Sequence, residues 1–68
     1  MTLMRINGIE EEITATTVAE LLVARGIDPA ARFLAIAVNG AVVGRAEWSS
    51  RELSPGDKVE IVRPLQGG

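Results

Sequence analysis

Cysteine and histidine are both absent from the 68-residue chain. Without cysteine there is no disulfide framework and no thiol nucleophile. Without either residue there is no Cys/His zinc site and no side chain whose unperturbed pKa lies near neutrality. The apolar core must hold the fold unaided. Tyrosine is missing as well, and one Trp and one Phe bring the aromatic share to only 3%. The basic residues Arg5, Arg25, Arg32, Arg45, Arg51, Lys58 and Arg63 are scattered without aromatic interleaving, and the net charge is −2. That pattern carries no nucleic-acid footprint. No apolar run approaches the ~20 residues that cross a bilayer, and the opening "MTLMRINGIEEE" lacks the apolar stretch of a signal peptide. The expectation is a cytoplasmic protein with no membrane partner.

What is present suits a globular domain: 47% hydrophobic and 24% charged residues. A chain of this length buries only about 60% of the surface that its unfolded form exposes, so each core residue counts. The segment "LMRINGIEEEIT" reads as a hairpin closed by Asn7-Gly8, with Ile6 opposite Ile9 and with Met4, Ile6, Ile9 and Ile13 on one face. Arg5 then faces Glu10 across the strands. In "TVAELLVARG" the period changes. Thr17 and Glu20 have capping-box spacing, Val18, Leu21 and Leu22 form an apolar stripe, and Gly26 suits the stop of a short helix. After "DPAAR", the run "FLAIAVNGAVV" reads as an apolar strand, a second Asn-Gly turn at 39–40 and a shorter partner strand. Trp48 and Leu53 are anchors in a polar loop, Pro55-Gly56-Asp57 is a turn, and "KVEIV" is a last strand with Val59 and Ile61 on one face.

The element order β-β-α-β-β-β, with one apolar side each for helix and sheet, predicts an α+β fold. It is the β-grasp, or ubiquitin-like, arrangement: a mixed five-stranded sheet with one main helix packed on one face. In that fold the last strand lies in the centre of the sheet beside the first. Residues 1–63 form the expected domain, and 64–68 a flexible tail ending in Gly-Gly. If Leu34, Ile36 and Val38 face the helix, then Phe33, Ala35 and Ala37 point outward, as Val62 does when Val59 and Ile61 face in. One helix covers only one face, so Phe33, Ala35, Ala37 and Val62 form a candidate partner surface.

With 7 glycines among 68 residues, chance places a pair at the end of roughly one chain in a hundred. A frayed, inert tail is the plain alternative. A reactive end is the sharper one, because glycine lets an extended tail thread a narrow channel and leaves its carboxyl open to approach. A free α-carboxylate has a pKa of about 3.5 and is a poor electrophile at neutral pH, so another enzyme must activate it.

The stretches "TVAELLVARGID", "AVNGAVVGRAEW" and "SPGDKVEIVRPLQGG" resemble the ThiS family, the sulfur carriers of thiamin thiazole biosynthesis. The resemblance spans essentially the whole chain, and departs from it at Gly44, where many relatives carry proline. It implies that the chain is a protein cosubstrate with no catalytic residues of its own. Gly68 would be adenylated by an E1-like adenylyltransferase, ThiF, using ATP and magnesium, and Leu65, Gln66 and Gly67 would be recognised with it. A cysteine desulfurase or rhodanese-type donor would convert the adenylate to a thiocarboxylate, and thiazole synthase, ThiG, would take the sulfur. The small subunit of molybdopterin synthase shares the tail and its chemistry, and a protein modifier conjugated through Gly68 is a further alternative. An autonomous enzyme would have to use Glu10, Glu11 and Glu12, yet strand alternation turns Glu11 away from the other two. A charged strand guarding a sheet edge accounts for them.

Overall fold

The computed structural model describes residues 2–63. Two Asn-Gly pairs set its hairpins. Asn7 and Gly8 have φ of 52° and 83°, and Asn39 and Gly40 have 54° and 84°. Positive φ at both central positions is what a type I′ turn requires, and asparagine and glycine are the residues that tolerate it. The first turn joins β1 (Thr2–Ile6) to β2 (Ile9–Ile13) with Ile6 opposite Ile9 and Arg5 opposite Glu10. The second joins β3 (Ala35–Val38) to β4 (Ala41–Val43).

The last strand, β5 (Lys58–Val62), runs parallel to β1 and antiparallel to β3, giving the order β2-β1-β5-β3-β4. It lies at the centre, as expected for the β-grasp. The turn asparagines fasten it there. Asn7 donates its N–H to Val59 O at 2.9 Å, and its Oδ1 accepts from Ile61 N at 2.8 Å. Asn39 donates its N–H to Lys58 O at 2.7 Å, and its Oδ1 accepts from Lys58 N at 3.0 Å. Asn39 Nδ2 also donates to the buried Asp57 Oδ1 at 3.0 Å, while Asp57 Oδ2 accepts from Ser54 N at 2.8 Å.

Between the hairpins, α1 (Val18–Ala24) covers one face of the sheet and buries Val18, Leu21 and Leu22. Thr17 caps it by accepting from Glu20 N at 3.2 Å. The reciprocal arm of the expected capping box falls one residue earlier: Glu20 Oε1 accepts from Thr16 N and from Thr16 Oγ1, each at 2.8 Å. At the other end Gly26, with φ of 74°, donates to Val23 O, and Ile27 donates to Leu22 O. Those two bonds make a Schellman stop, and Ile27 packs into the core beside Leu22.

The core gathers Met4, Ile6, Ile36, Val38 and Val59 from the sheet against the helix. Trp48 plugs its side, donating Nε1–H to Val43 O at 2.8 Å, so it is a loop anchor as expected. Gly44 just before it has φ of −65° and ψ of 148°. These are proline's own torsions, so the departure from proline here leaves the backbone path unchanged.

Three details differ from the sequence expectation. Ile9 shares the face of Ile6 but is 64% exposed, at the turn end of an edge strand. Ile61 faces inward but is only half-buried against the core. Phe33 precedes β3 rather than opening it, with φ of 61°. The acidic strand does form an edge: Glu11, on the helix side, pairs with Arg25 at 2.5 Å. A surface pair of this kind, each side chain about a third exposed, contributes about 0–1 kcal/mol.

Ile36 is 1% exposed, on a strand flanked on both sides, so Ile36→Ala is expected to cost about 2–5 kcal/mol through the cavity it leaves. Ile61→Ala should cost less. Denaturant melts of the two variants check the order.

The bonds from Thr16, the backbone N–H foremost and the hydroxyl next, hold the Glu20 carboxyl below its ordinary pKa. A depressed folded pKa contributes stability that is present above the unfolded value, about 4.3, and is lost as pH falls through the folded one. The advantage of wild type over Glu20→Gln should therefore be full at neutral pH and close in strong acid. Paired denaturant melts across that range test it, and an advantage that grows on acidification would contradict it.

Candidate functional site: the uncovered sheet face and the exit of the last strand

Strand alternation divides the sheet into a covered and an uncovered face. On β3, Leu34 just before the strand, Ile36 and Val38 are buried, while Ala35 is exposed and Ala37 half-buried. On β5, Val59 is 1% exposed and Val62 is 59% exposed. Register then brings the outward residues together: Ala35 lies opposite Val62, and Ala37 lies between Glu60 on one side and Val42 on the other. The result is a continuous apolar strip across β5, β3 and β4 on the face the helix leaves bare.

All four residues expected at a partner surface, Phe33, Ala35, Ala37 and Val62, are thus partly or fully exposed. Val42, 80% exposed, belongs with them and was not anticipated. The signal for it was available: an Asn39-Gly40 turn with Val38 opposite Ala41 puts Val42 opposite Ala37. Val62 is the final residue of β5. The chain therefore leaves the sheet from within the apolar strip. The expected tail, including Leu65, Gln66, Gly67 and Gly68, lies outside the described residues.

Phe33 has an unusual backbone. Its φ of 61° is in the left-handed region, and its side chain is 78% exposed. That conformation costs an L-residue about 1–2 kcal/mol, and the exposed ring recovers little of it by burial. The residues on both sides of it are held in place. Leu34 is buried in the core, and the carbonyl of Ala31 accepts from Arg45 Nη2 at 2.7 Å. Arg45 Nη1 also donates to Pro29 O, and the guanidinium carbon stands 4.6 Å from the centroid of the Trp48 ring.

Charged residues border the strip on its β1 side. Arg5 and Lys58 are register partners on parallel strands, and with Glu60, Gly8 and Gly40 they line a shallow groove of about 400 Å³ between the two Asn-Gly turns. Among the described residues, no cluster of three or more His, Cys, Asp or Glu is placed to hold a metal ion. No helix among them is long and apolar enough to cross a membrane.

A single helix across one face of a mixed five-stranded sheet, with the last strand central beside the first, defines a β-grasp protein of ubiquitin-like type. The chain belongs to the ThiS family, matching it over residues 2–68, and members of that family are sulfur carrier proteins rather than enzymes. Its structure is similar to the crystal structure of the thiamine biosynthesis protein ThiS from Geobacter metallireducens. The TM-score is 0.80 at 26% identity, covering 98% of this chain and 100% of that one. The solution structure of a thiamine biosynthesis protein from Geobacter metallireducens gives 0.79 at 26% identity, covering 98% of this chain and 88% of that one. No curated protein matches it in sequence.

Proposed function

We propose that this chain carries sulfur for thiamin thiazole synthesis as a thiocarboxylate on Gly68. In this reading residues 1–63 are the carrier body and 64–68 the reactive tail, and the setting is cytoplasmic. The observation that carries it is a family match that runs to the last glycine, residue 68.

Activation comes first. An α-carboxylate is anionic at neutral pH and resists nucleophiles. An E1-like adenylyltransferase, ThiF, with ATP and magnesium, lets a Gly68 carboxylate oxygen attack the α-phosphorus and expels pyrophosphate. The mixed anhydride then accepts a persulfide sulfur from a cysteine desulfurase or rhodanese-type donor, and AMP leaves. A thiol co-reactant cleaves the resulting acyl disulfide, which leaves the thiocarboxylate on Gly68. Thiazole synthase, ThiG, consumes that sulfur. The carrier contributes position rather than catalysis. Lacking cysteine and histidine, it offers no thiol or imidazole to attack its own activated end.

Docking uses the uncovered strip. Ala35 lies beside Val62 at the end of β5, and Ala37, Val42 and the exposed Phe33 extend the docking surface from there, so an enzyme that grips it would have Leu65, Gln66 and Gly67 leading into its active site. The resemblance to ThiS in both sequence and fold favours thiazole over a pterin as the destination of the sulfur.

Intact-mass spectrometry tests the chemistry. With the adenylyltransferase, ATP, magnesium, a persulfide sulfur donor and a thiol, the protein should release pyrophosphate and gain one oxygen-to-sulfur exchange. Deleting Gly68 should abolish the gain in a protein that still folds, since a misplacement of even ~1 Å can cost on the order of 10²-fold in rate. A deletion variant that gains sulfur as readily as wild type would overturn the reading.

For the surface, Val62→Asp and Val42→Asp should keep the fold while weakening binding to the adenylyltransferase, because each buries an unpaired charge on docking. Calorimetric affinities equal to wild type for both variants would remove the strip from the interface.

A further inference from the structure

We propose that Arg45 is a positioning residue for docking: it holds the 28–32 loop so that Phe33 stays in its left-handed conformation beside the apolar strip. This rests on the reading that the uncovered face meets the adenylyltransferase.

The geometry is specific. The loop before Phe33 is a tight turn in which Asp28 accepts twice, from Ala30 N at its Oδ1 and from Ala31 N at its carbonyl, both at 2.9 Å. Two carbonyls of that turn, Pro29 O and Ala31 O, point to the Arg45 guanidinium, one for each terminal nitrogen. The Arg45 guanidinium in turn lies over the ring of Trp48, itself buried and bonded to Val43 O. The line of support therefore runs from the core through Trp48 and Arg45 to the turn, and then to the residue with the least favourable backbone. Downstream, Leu34 is locked in the core. A bulky residue keeps a left-handed φ only while its surroundings over-determine it. Releasing the Arg45 side leaves Phe33 free to return to the extended region.

A planar fork is what the arrangement needs. Lysine offers a compact ammonium that neither spans two carbonyls in one plane nor stacks flat on an indole. The function of the device is to present an exposed aromatic ring already in place. When the competent conformation is only a fraction of the population, apparent affinity falls by that fraction.

Two measurements together test the proposal. In NMR backbone shifts and couplings, Phe33 should show positive φ in wild type and an averaged or negative φ in Arg45→Ala, while the shifts of β1 and β5 are unchanged. Arg45→Lys should change in the same direction, by less. Calorimetric binding to the adenylyltransferase should weaken about tenfold in Arg45→Ala if the competent fraction falls to about a tenth. In a Phe33→Ala background, the same Arg45 substitution should have no further effect, since the ring it positions is gone. A Phe33 φ that ignores the Arg45 substitution overturns the proposal, as does an Arg45 effect that persists in full without the ring. If Phe33→Ala alone leaves affinity unchanged, the docking assignment of Phe33 fails, and the role of Arg45 in docking fails with it, even where the NMR change is seen.

Discussion

The placement of β5 governs the rest of the structure. It is the last strand in sequence and the middle one in space, so its pairing closes two hairpins made far apart in the chain into one sheet. Backbone ladders alone would allow it to slide, and a slip by one residue would exchange its inward and outward side chains. The two turn asparagines oppose that slip. Each commits a side-chain oxygen to a β5 amide, Asn7 to Ile61 and Asn39 to Lys58, so each hairpin end is tied to a fixed position on the central strand. Turn-forming residues thus also set register.

From that register follows the chemistry of the two faces. Val59 must point into the core, so Val62 points out, beside Ala35. One short helix of 7 residues suffices for the inward face and leaves nothing for the other. The bare strip is thus a by-product of building a mixed sheet with a single helix. The strip reaches the end of the final strand, where Ala35 lies beside Val62.

The sheet's free edges are handled differently. At one, β2 bears Glu10, Glu11 and Glu12, whose charges resist pairing with another chain. At the other, β4 has 3 residues and no charge. Its brevity limits the unpaired backbone it can present. Val42 is the exposed centre of that short edge, and it extends the apolar strip to the border of the sheet.

How much of this was legible in sequence depends on how far each cause lies along the chain. The two Asn-Gly turns, the Thr17 cap, the Gly26 stop and the inward alternation of Ile36, Val38 and Val59 are local signals, and each is found where the pattern put it. The order of these elements was enough for the fold, and the quoted motifs were enough for the family. Where neighbours distant in sequence decide, the sequence falls silent. Ile9 has the right face but stays exposed at the turn end of an edge strand. Glu20 prefers Thr16 to the residue that the capping pattern named. Phe33 opens an apolar run, yet its backbone is left-handed and its ring exposed, and no period in the sequence reports either. The sequence by itself determined the elements, their faces and the glycine pair. The tertiary structure decided which residues lie bare together and which is held in strain, because exposure and backbone strain depend on what packs alongside, and packing is non-local.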